Sequence, residues 1–133
     1  IPDFLKEFLT AFTKGGITVI LPAIETLDLR LGGDRIAVRL FSHPAAIALA
    51  KDFGPITATS ANESGVEPEC DTEAAASKLG VETFVHGMCP NGLGSTYISL
   101  EKNDSEKRGW MLTVMREGVV PQSDVMRWWT IPV

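Results

Sequence analysis

The stretch Pro55-Ile56-Thr57-Ala58-Thr59-Ser60-Ala61-Asn62-Glu63-Ser64-Gly65 decides the fold class, because an apolar, β-branched run gives way within it to hydroxyls, an amide and a glycine. Ile and Thr suit a pleated, buried surface, whereas Ser-Ala-Asn followed by Ser-Gly is turn chemistry. The segment predicts a buried strand with its polar groups at the carboxyl end. In open α/β sheets that end is where ligands bind.

Working outward from it, strand and helix signals alternate with short connections, the pattern of an α/β fold. Upstream, Ile17–Leu21 and Arg35–Leu40 are expected strands, with a loop or short turn over Glu25–Gly33. Pro2 and Asp3 open a helix reaching about Phe12, in which Phe4, Leu5, Phe8, Leu9 and Phe12 recur along one face. A second helix starts at His43-Pro44 and closes at Gly54, and Asp71 is placed to cap a third that stops before Gly80. Downstream, Glu82–His86, Ser95–Leu100 and Trp110–Arg116 read as strands, and Pro121–Trp129 as a terminal helix. Trp128 and Trp129, adjacent on one element, are expected to divide between core and interface.

With 133 residues, 44% hydrophobic and 22% charged, the chain has the composition of a single globular core. No apolar run approaches the roughly 20 residues that span a bilayer, and no charged-then-apolar leader precedes the first helix, so a soluble, cytoplasmic protein with no membrane partner is expected. The net charge of −5 is unevenly spread: residues 54–100 hold six acids and one base, while the rest balances. No basic stripe is present, so direct RNA binding is not expected.

Cys70 and Cys89 are too few for a zinc cluster, and a lone pair in an intracellular chain is expected to be reduced. His86-Gly87-Met88-Cys89 invites a metal reading, but three or four ligands are needed and no second cluster supplies them, so no metal site is assigned. Asn62-Glu63-Ser64 fits a glycosylation sequon and is read as coincidence.

Five segments in order resemble motifs of the YrdC-like family, the threonylcarbamoyl-adenylate synthases. Thr59-Ser60-Ala61-Asn62 with Ser64-Gly65 resembles its "TSAN.SG" signature, Ile17–Ala23 its "LTVILPA" strand, and Ile36–Leu40 its "VGVRIP" strand. Gly92-Leu93-Gly94-Ser95-Thr96 resembles "GLESTV", and Val114-Met115-Arg116-Glu117-Gly118 resembles "ILRPG". The chain departs at Lys14-Gly15-Gly16, where the family has "PGP", and at Glu117, where it has proline. Both are turns, whose rigidity changes more than their chemistry. Nothing before Ile17 matches the family's "PT.T.YGL" stretch or its Lys/Arg cluster. The resemblance thus implies a single YrdC-like domain over residues 1–133 that lacks the family's amino-terminal third.

The fold so implied is α/β, a twisted open mixed sheet with flanking helices. The implied reaction joins L-threonine, bicarbonate and ATP into threonylcarbamoyl-adenylate for modification of tRNA, with Mg2+ on the nucleotide and protein partners drawn from that pathway. No residue is expected as a nucleophile, because the substrate supplies its own. By resemblance, Arg39, Thr59, Ser95 and Thr96 bind threonine or its carbamate, and Thr18, Ser60, Asn62 and Arg116 bind ATP. On residue types alone other readings stay open: a surface ion pair for Arg39, a strand-ending turn for Ser60 and Asn62, a core hydroxyl for Thr18, and a packing cation for Arg116. Other functions also stay open, namely a non-catalytic nucleotide-binding or assembly module, a carbamoyl-transfer domain of hydrogenase-maturation type, and an RNA-binding protein.

Overall fold

A computed structural model describes residues 1–89 and 92–131 of the chain. Four helices, α1 (Leu5–Thr10), α2 (Pro44–Phe53), α3 (Thr72–Leu79) and α4 (Gln122–Thr130), combine with four strands, β1 (Ile17–Pro22), β2 (Arg35–Arg39), β3 (Thr96–Lys102) and β4 (Trp110–Arg116). Internal contacts divide the chain into two compact units, one formed by Ile1–His43 with Leu93 onward, the other by Pro44–Gly92.

The first unit carries the whole sheet, in the order β2-β1-β3-β4. β1 pairs antiparallel with β2 and parallel with β3, and β3 pairs antiparallel with β4, so the sheet is mixed. Alternation along the strands separates its two faces. Ile17, Val19 and Leu21 of β1 share a face with Ile98 and Leu100 of β3, and all five are buried. Onto that face α1 packs Leu5, Phe8 and Leu9, and α4 packs Val125, with Val120 completing the cluster. Each such side chain is worth roughly 1.5–3 kcal/mol when withdrawn from water.

Helix α1 is shorter than its periodicity suggests, ending at Thr10 with the Ala11 amide shared between the Glu7 and Phe8 carbonyls. Trp128 and Trp129 do not divide between core and interface as expected. Both are half-buried beside Phe4, at centroid distances of 6.3 and 5.3 Å, and the Arg108 guanidinium lies 4.6 and 5.5 Å from their rings. Arg108 also donates to the Trp129 and Ile131 carbonyls, fastening the end of α4 to the β3–β4 loop.

In the second unit, α2 begins on a proline, whose fixed φ suits a first helical position. Asp71 caps α3 by accepting from the Ala74 amide at 2.9 Å, and Gly80 ends it in the left-handed region. Asp71 and Met88 form an antiparallel bridge that closes the segment around α3.

Two expected strands are absent. Residues 55–60 are exposed and join no ladder, and Glu82–His86 likewise forms no strand. Both runs have the composition of strands, yet a strand exists only where a neighbour accepts its backbone bonds, and among the described residues neither run has one. The signature hydroxyls of Thr59 and Ser60 therefore stand on an exposed segment rather than at the tip of a buried strand.

Candidate functional site

The register of the sheet builds a transverse row. Arg39 of β2 is the direct partner of Thr18 in β1, Thr18 aligns with Tyr97 in β3, and Tyr97 with Arg116 in β4. Directly paired residues project to the same side, so all four stand on the face opposite the apolar core. Three interstrand spacings separate the end members, roughly 14 Å between backbones.

Arg116 reaches this face through an irregularity. Ile98 opposes Val114 while Tyr97 opposes Arg116, so Met115 is an extra residue in β4. Without that bulge, alternation would leave Arg116 on the side of Leu112 and Val114, against the core. One additional residue re-aims the strand end, as bulges commonly do.

Around the row the polar groups are tightly arranged. Thr18 Oγ1 and Ser95 Oγ lie 2.7 Å apart and share a buried hydrogen bond, with each residue 4% exposed. Arg116 Nη2 donates to the Ser95 carbonyl at 2.9 Å, and its guanidinium carbon lies 4.4 Å from the centroid of the Tyr97 ring. Gly94 adjoins it, for a β-carbon there would stand 3.2 Å from Nη2. Tyr97 is not singled out from the sequence, and Gly94 enters there only as part of the Gly92-Leu93-Gly94 loop. The signal available was the departure from "GLESTV", since glycine stands where that motif has glutamate and tyrosine where it has its valine.

Thr96 points to the opposite face and is wholly buried. Its hydroxyl donates to the Val120 carbonyl at 2.6 Å and accepts from the Gly118 and Val120 amides at 2.9 and 3.2 Å. That oxygen is committed to holding residues 118–120 against the start of β3. Direct side-chain contact with a substrate is therefore not part of its geometry, which corrects the expectation for Thr96.

Charge is also apportioned unevenly among the six arginines. Arg30 pairs with Asp28, Arg35 with Glu101 and Arg127 with Asp124, while Arg108 is stacked on aromatic rings. Among the described residues, Arg39 and Arg116 alone have neither a carboxylate partner nor an aromatic enclosure of that kind. Both are exposed, and they flank one row. A guanidinium offers five N–H donors, and one of Arg116's is used. The row can thus receive two anionic groups, one at each end, over a floor of hydroxyls and a tyrosine ring.

Thr59, Ser60 and Asn62 belong to the second unit. Asn62 Nδ2 donates to the Val66 and Glu63 carbonyls at 2.7 and 3.1 Å, folding residues 62–66 into a turn. Its Oδ1 is buried without a partner, an acceptor left over for a donor from outside. Asn62 also lines a cavity of about 280 Å³ with Val66, Glu69, Lys78 and Leu79. Of the expected site residues, the sheet brings together Arg39, Thr18, Ser95 and Arg116.

A family model described as telomere recombination, that of the Sua5/YciO/YrdC domain, matches residues 1–118. An Aliivibrio fischeri threonylcarbamoyl-AMP synthase is 45% identical over 82 residues, covering 57% of this chain and 44% of the relative. A Bacillus subtilis threonylcarbamoyl-AMP synthase is 36% identical over 106 residues, covering 74% of this chain and 30% of the relative. A Mycobacterium tuberculosis protein provisionally given the same name is 34% identical over 104 residues, covering 74% of this chain and 48% of the relative. The chain thus spans about half the length of the first of these curated relatives, or less. No solved structure is matched.

Proposed function

The chain belongs to the Sua5/YciO/YrdC family, and from that premise we propose that it takes part in making threonylcarbamoyl-adenylate from L-threonine, bicarbonate and ATP, for threonylcarbamoyladenosine modification of tRNA. The observation that supports the reading is the row itself: two exposed guanidiniums without carboxylate partners flank the Thr18–Ser95 hydroxyl pair on one sheet face. Both units then form one YrdC-like domain, consistent with a family match that runs through both.

In this reading Arg39 holds the threonine carboxylate through two parallel hydrogen bonds. The threonine amine condenses with bicarbonate to a carbamate, the C–N bond forming as a C–O bond breaks and water leaves, and a carbamate oxygen then attacks the α-phosphorus of ATP as the bond to pyrophosphate breaks. Arg116 meets charge on the phosphate oxygens, held flat by Tyr97 and turned by the Ser95 carbonyl. Thr18 contributes a polar contact to the nucleotide, and Ser95 one to the carbamate. Thr96 acts by fixing the loop rather than by touching substrate. The protein supplies alignment and charge neutralisation, and no side chain need form a covalent bond.

A resident magnesium does not fit the donor set of the row, which consists of hydroxyls and guanidiniums. No three His, Cys, Asp or Glu side chains among the described residues stand close enough to hold a metal. Mg2+ would enter as part of the nucleotide substrate, on phosphate oxygens. Among the described residues no helix is long and apolar enough to cross a membrane. A cytoplasmic location and protein partners from tRNA modification complete the proposal.

Incubating the chain with labelled ATP, Mg2+ and bicarbonate, with and without L-threonine, tests it. Threonine-dependent release of pyrophosphate and a threonylcarbamoyl nucleotide is expected. Product formed equally without threonine would reject it in favour of carbamoyl transfer. Binding of ATP and threonine without turnover would favour a second reading, a binding module.

A further inference from the structure

A third guanidinium reaches the face of the Arg39–Arg116 row. Arg35 opens β2 and pairs with Pro22, so by alternation it projects to the same side of the sheet as Arg39. Its side chain does not stay over its own strand. It crosses β1 to β3, where Nη2 donates to the Ser99 hydroxyl and Nη1 to Glu101 Oε1 at 3.2 Å. Ser99 aligns with Ile20 of β1 and stands two residues beyond Tyr97 on β3, roughly 7 Å along the strand and on the same face. Tyr97 in turn carries the Arg116 guanidinium, 4.4 Å from its ring centroid. Arg35 and Arg116 thus start from the two edge strands, and both deliver their charged ends to β3.

The two contacts of Arg35 differ in kind. Ser99 is 6% exposed, so its hydroxyl is a fixed anchor that keeps the guanidinium over β3. The Arg35 and Glu101 side chains are 38% and 51% exposed, and an ion pair so open to water is worth little and exchanges readily. Only two of the five N–H donors of the guanidinium are used, and the others remain for a ligand. An incoming anion can therefore replace the Glu101 carboxylate while Ser99 holds the arginine in place.

We propose that Arg35 is a latent polyphosphate subsite with Glu101 as its counter-ion: linked phosphates extending from Arg116 displace the Glu101 carboxylate and take its place on the guanidinium. The class of ligand is pyrophosphate, or the β- and γ-phosphates of a nucleoside triphosphate. A single phosphate held at Arg116 does not reach it. The inference deepens the adenylate reading and rests on its placement of phosphate at Arg116. In that reaction pyrophosphate is the leaving group, and Arg35 meets the charge it gathers as the bond to the α-phosphorus breaks. When pyrophosphate departs, Glu101 returns to the guanidinium.

The experiment measures, by calorimetry at fixed ionic strength and without threonine, the affinity of the whole chain for ATP, inorganic pyrophosphate and AMP. Arg35→Gln is expected to weaken ATP and pyrophosphate roughly tenfold, with AMP within about twofold of wild type. Glu101→Gln is expected to tighten ATP and pyrophosphate about two- to five-fold, because the competing carboxylate is gone, again without moving AMP. The opposite signs are diagnostic: a pair that merely braces β2 against β3 is broken by either substitution, so both variants would then bind alike. A gain in affinity also cannot come from a misfolded variant. Changes of the same sign in both variants, effects on AMP as large as those on ATP, or pyrophosphate that fails to bind the wild type would each overturn the subsite. The threonine-dependent turnover assay separates the two claims. Turnover without opposed shifts overturns the subsite and leaves the adenylate reading standing, whereas opposed shifts with product formed equally without threonine leave the subsite standing and overturn that reading.

Discussion

Gly118 has no room for a side chain. A β-carbon there would stand 2.1 Å from the Gly94 carbonyl oxygen and 2.6 Å from the Ser95 carbonyl carbon, both rigid backbone. Gly118→Ala is expected to cost about 1–3 kcal/mol, read by urea unfolding, and to weaken ATP binding by displacing the carbonyl that turns Arg116. Thr18→Val removes the partner of a buried hydroxyl and leaves Ser95 Oγ unpaired. A loss of about 1–3 kcal/mol is expected, largely spared in Thr18→Ser. Tyr97→Leu takes away the ring under the Arg116 guanidinium, and calorimetry should show ATP binding roughly two- to five-fold weaker. Tyr97→Phe keeps the ring and should bind as wild type, and threonine affinity should be unmoved in both.

At the scale of elements, the capping aspartate of α3 gives a direct test: Asp71→Ala is expected to destabilise by about 1 kcal/mol in thermal or urea unfolding. The 3-10 turn at Leu29–Leu31 responds to pH instead. Hydrogen bonds from the Arg30 side chain and then its amide hold the Asp28 carboxyl below its ordinary value, against a slight opposing effect of burial. A lowered folded-state value means that the turn's contribution is present at neutral pH and lost as pH falls through that value. The strands carrying Arg39 and Arg116 were readable from alternating apolar residues in Arg35–Leu40 and Trp110–Arg116, as were the caps at Asp71 and Gly80. The runs 55–60 and 82–86 form no strand because Ile, Val and Thr record a preference for pleated backbone and not the presence of a ladder partner. Nor did anything local mark Met115 as the extra residue of a bulge, since that depends on where β3 lies. Arg39 and Thr18 were nameable by motif, whereas their alignment with Tyr97 and Arg116 follows only from register.

For the molecule as a whole, charge is distributed by unit. Pro44–Gly92 carries seven acidic and two basic side chains, and the sheet-bearing unit carries ten of each. The excess of −5 thus lies entirely outside the unit that holds Arg39 and Arg116. Because both guanidiniums are exposed, ATP affinity measured by calorimetry should fall steadily as salt rises from 0.01 to 1 M, while the Debye length shrinks from about 30 to about 3 Å. The topology has a consequence for how the chain is made. Ile17 aligns with Thr96 in the parallel pair at the centre of the sheet, so β1 has no inner neighbour until β3 is synthesised. At about 5–20 residues per second a ribosome needs roughly 4–16 s to deliver that neighbour. Throughout that interval the β1–β2 hairpin presents an open edge and an apolar face to solvent, so the nascent chain is exposed to edge-to-edge pairing before its sheet can close.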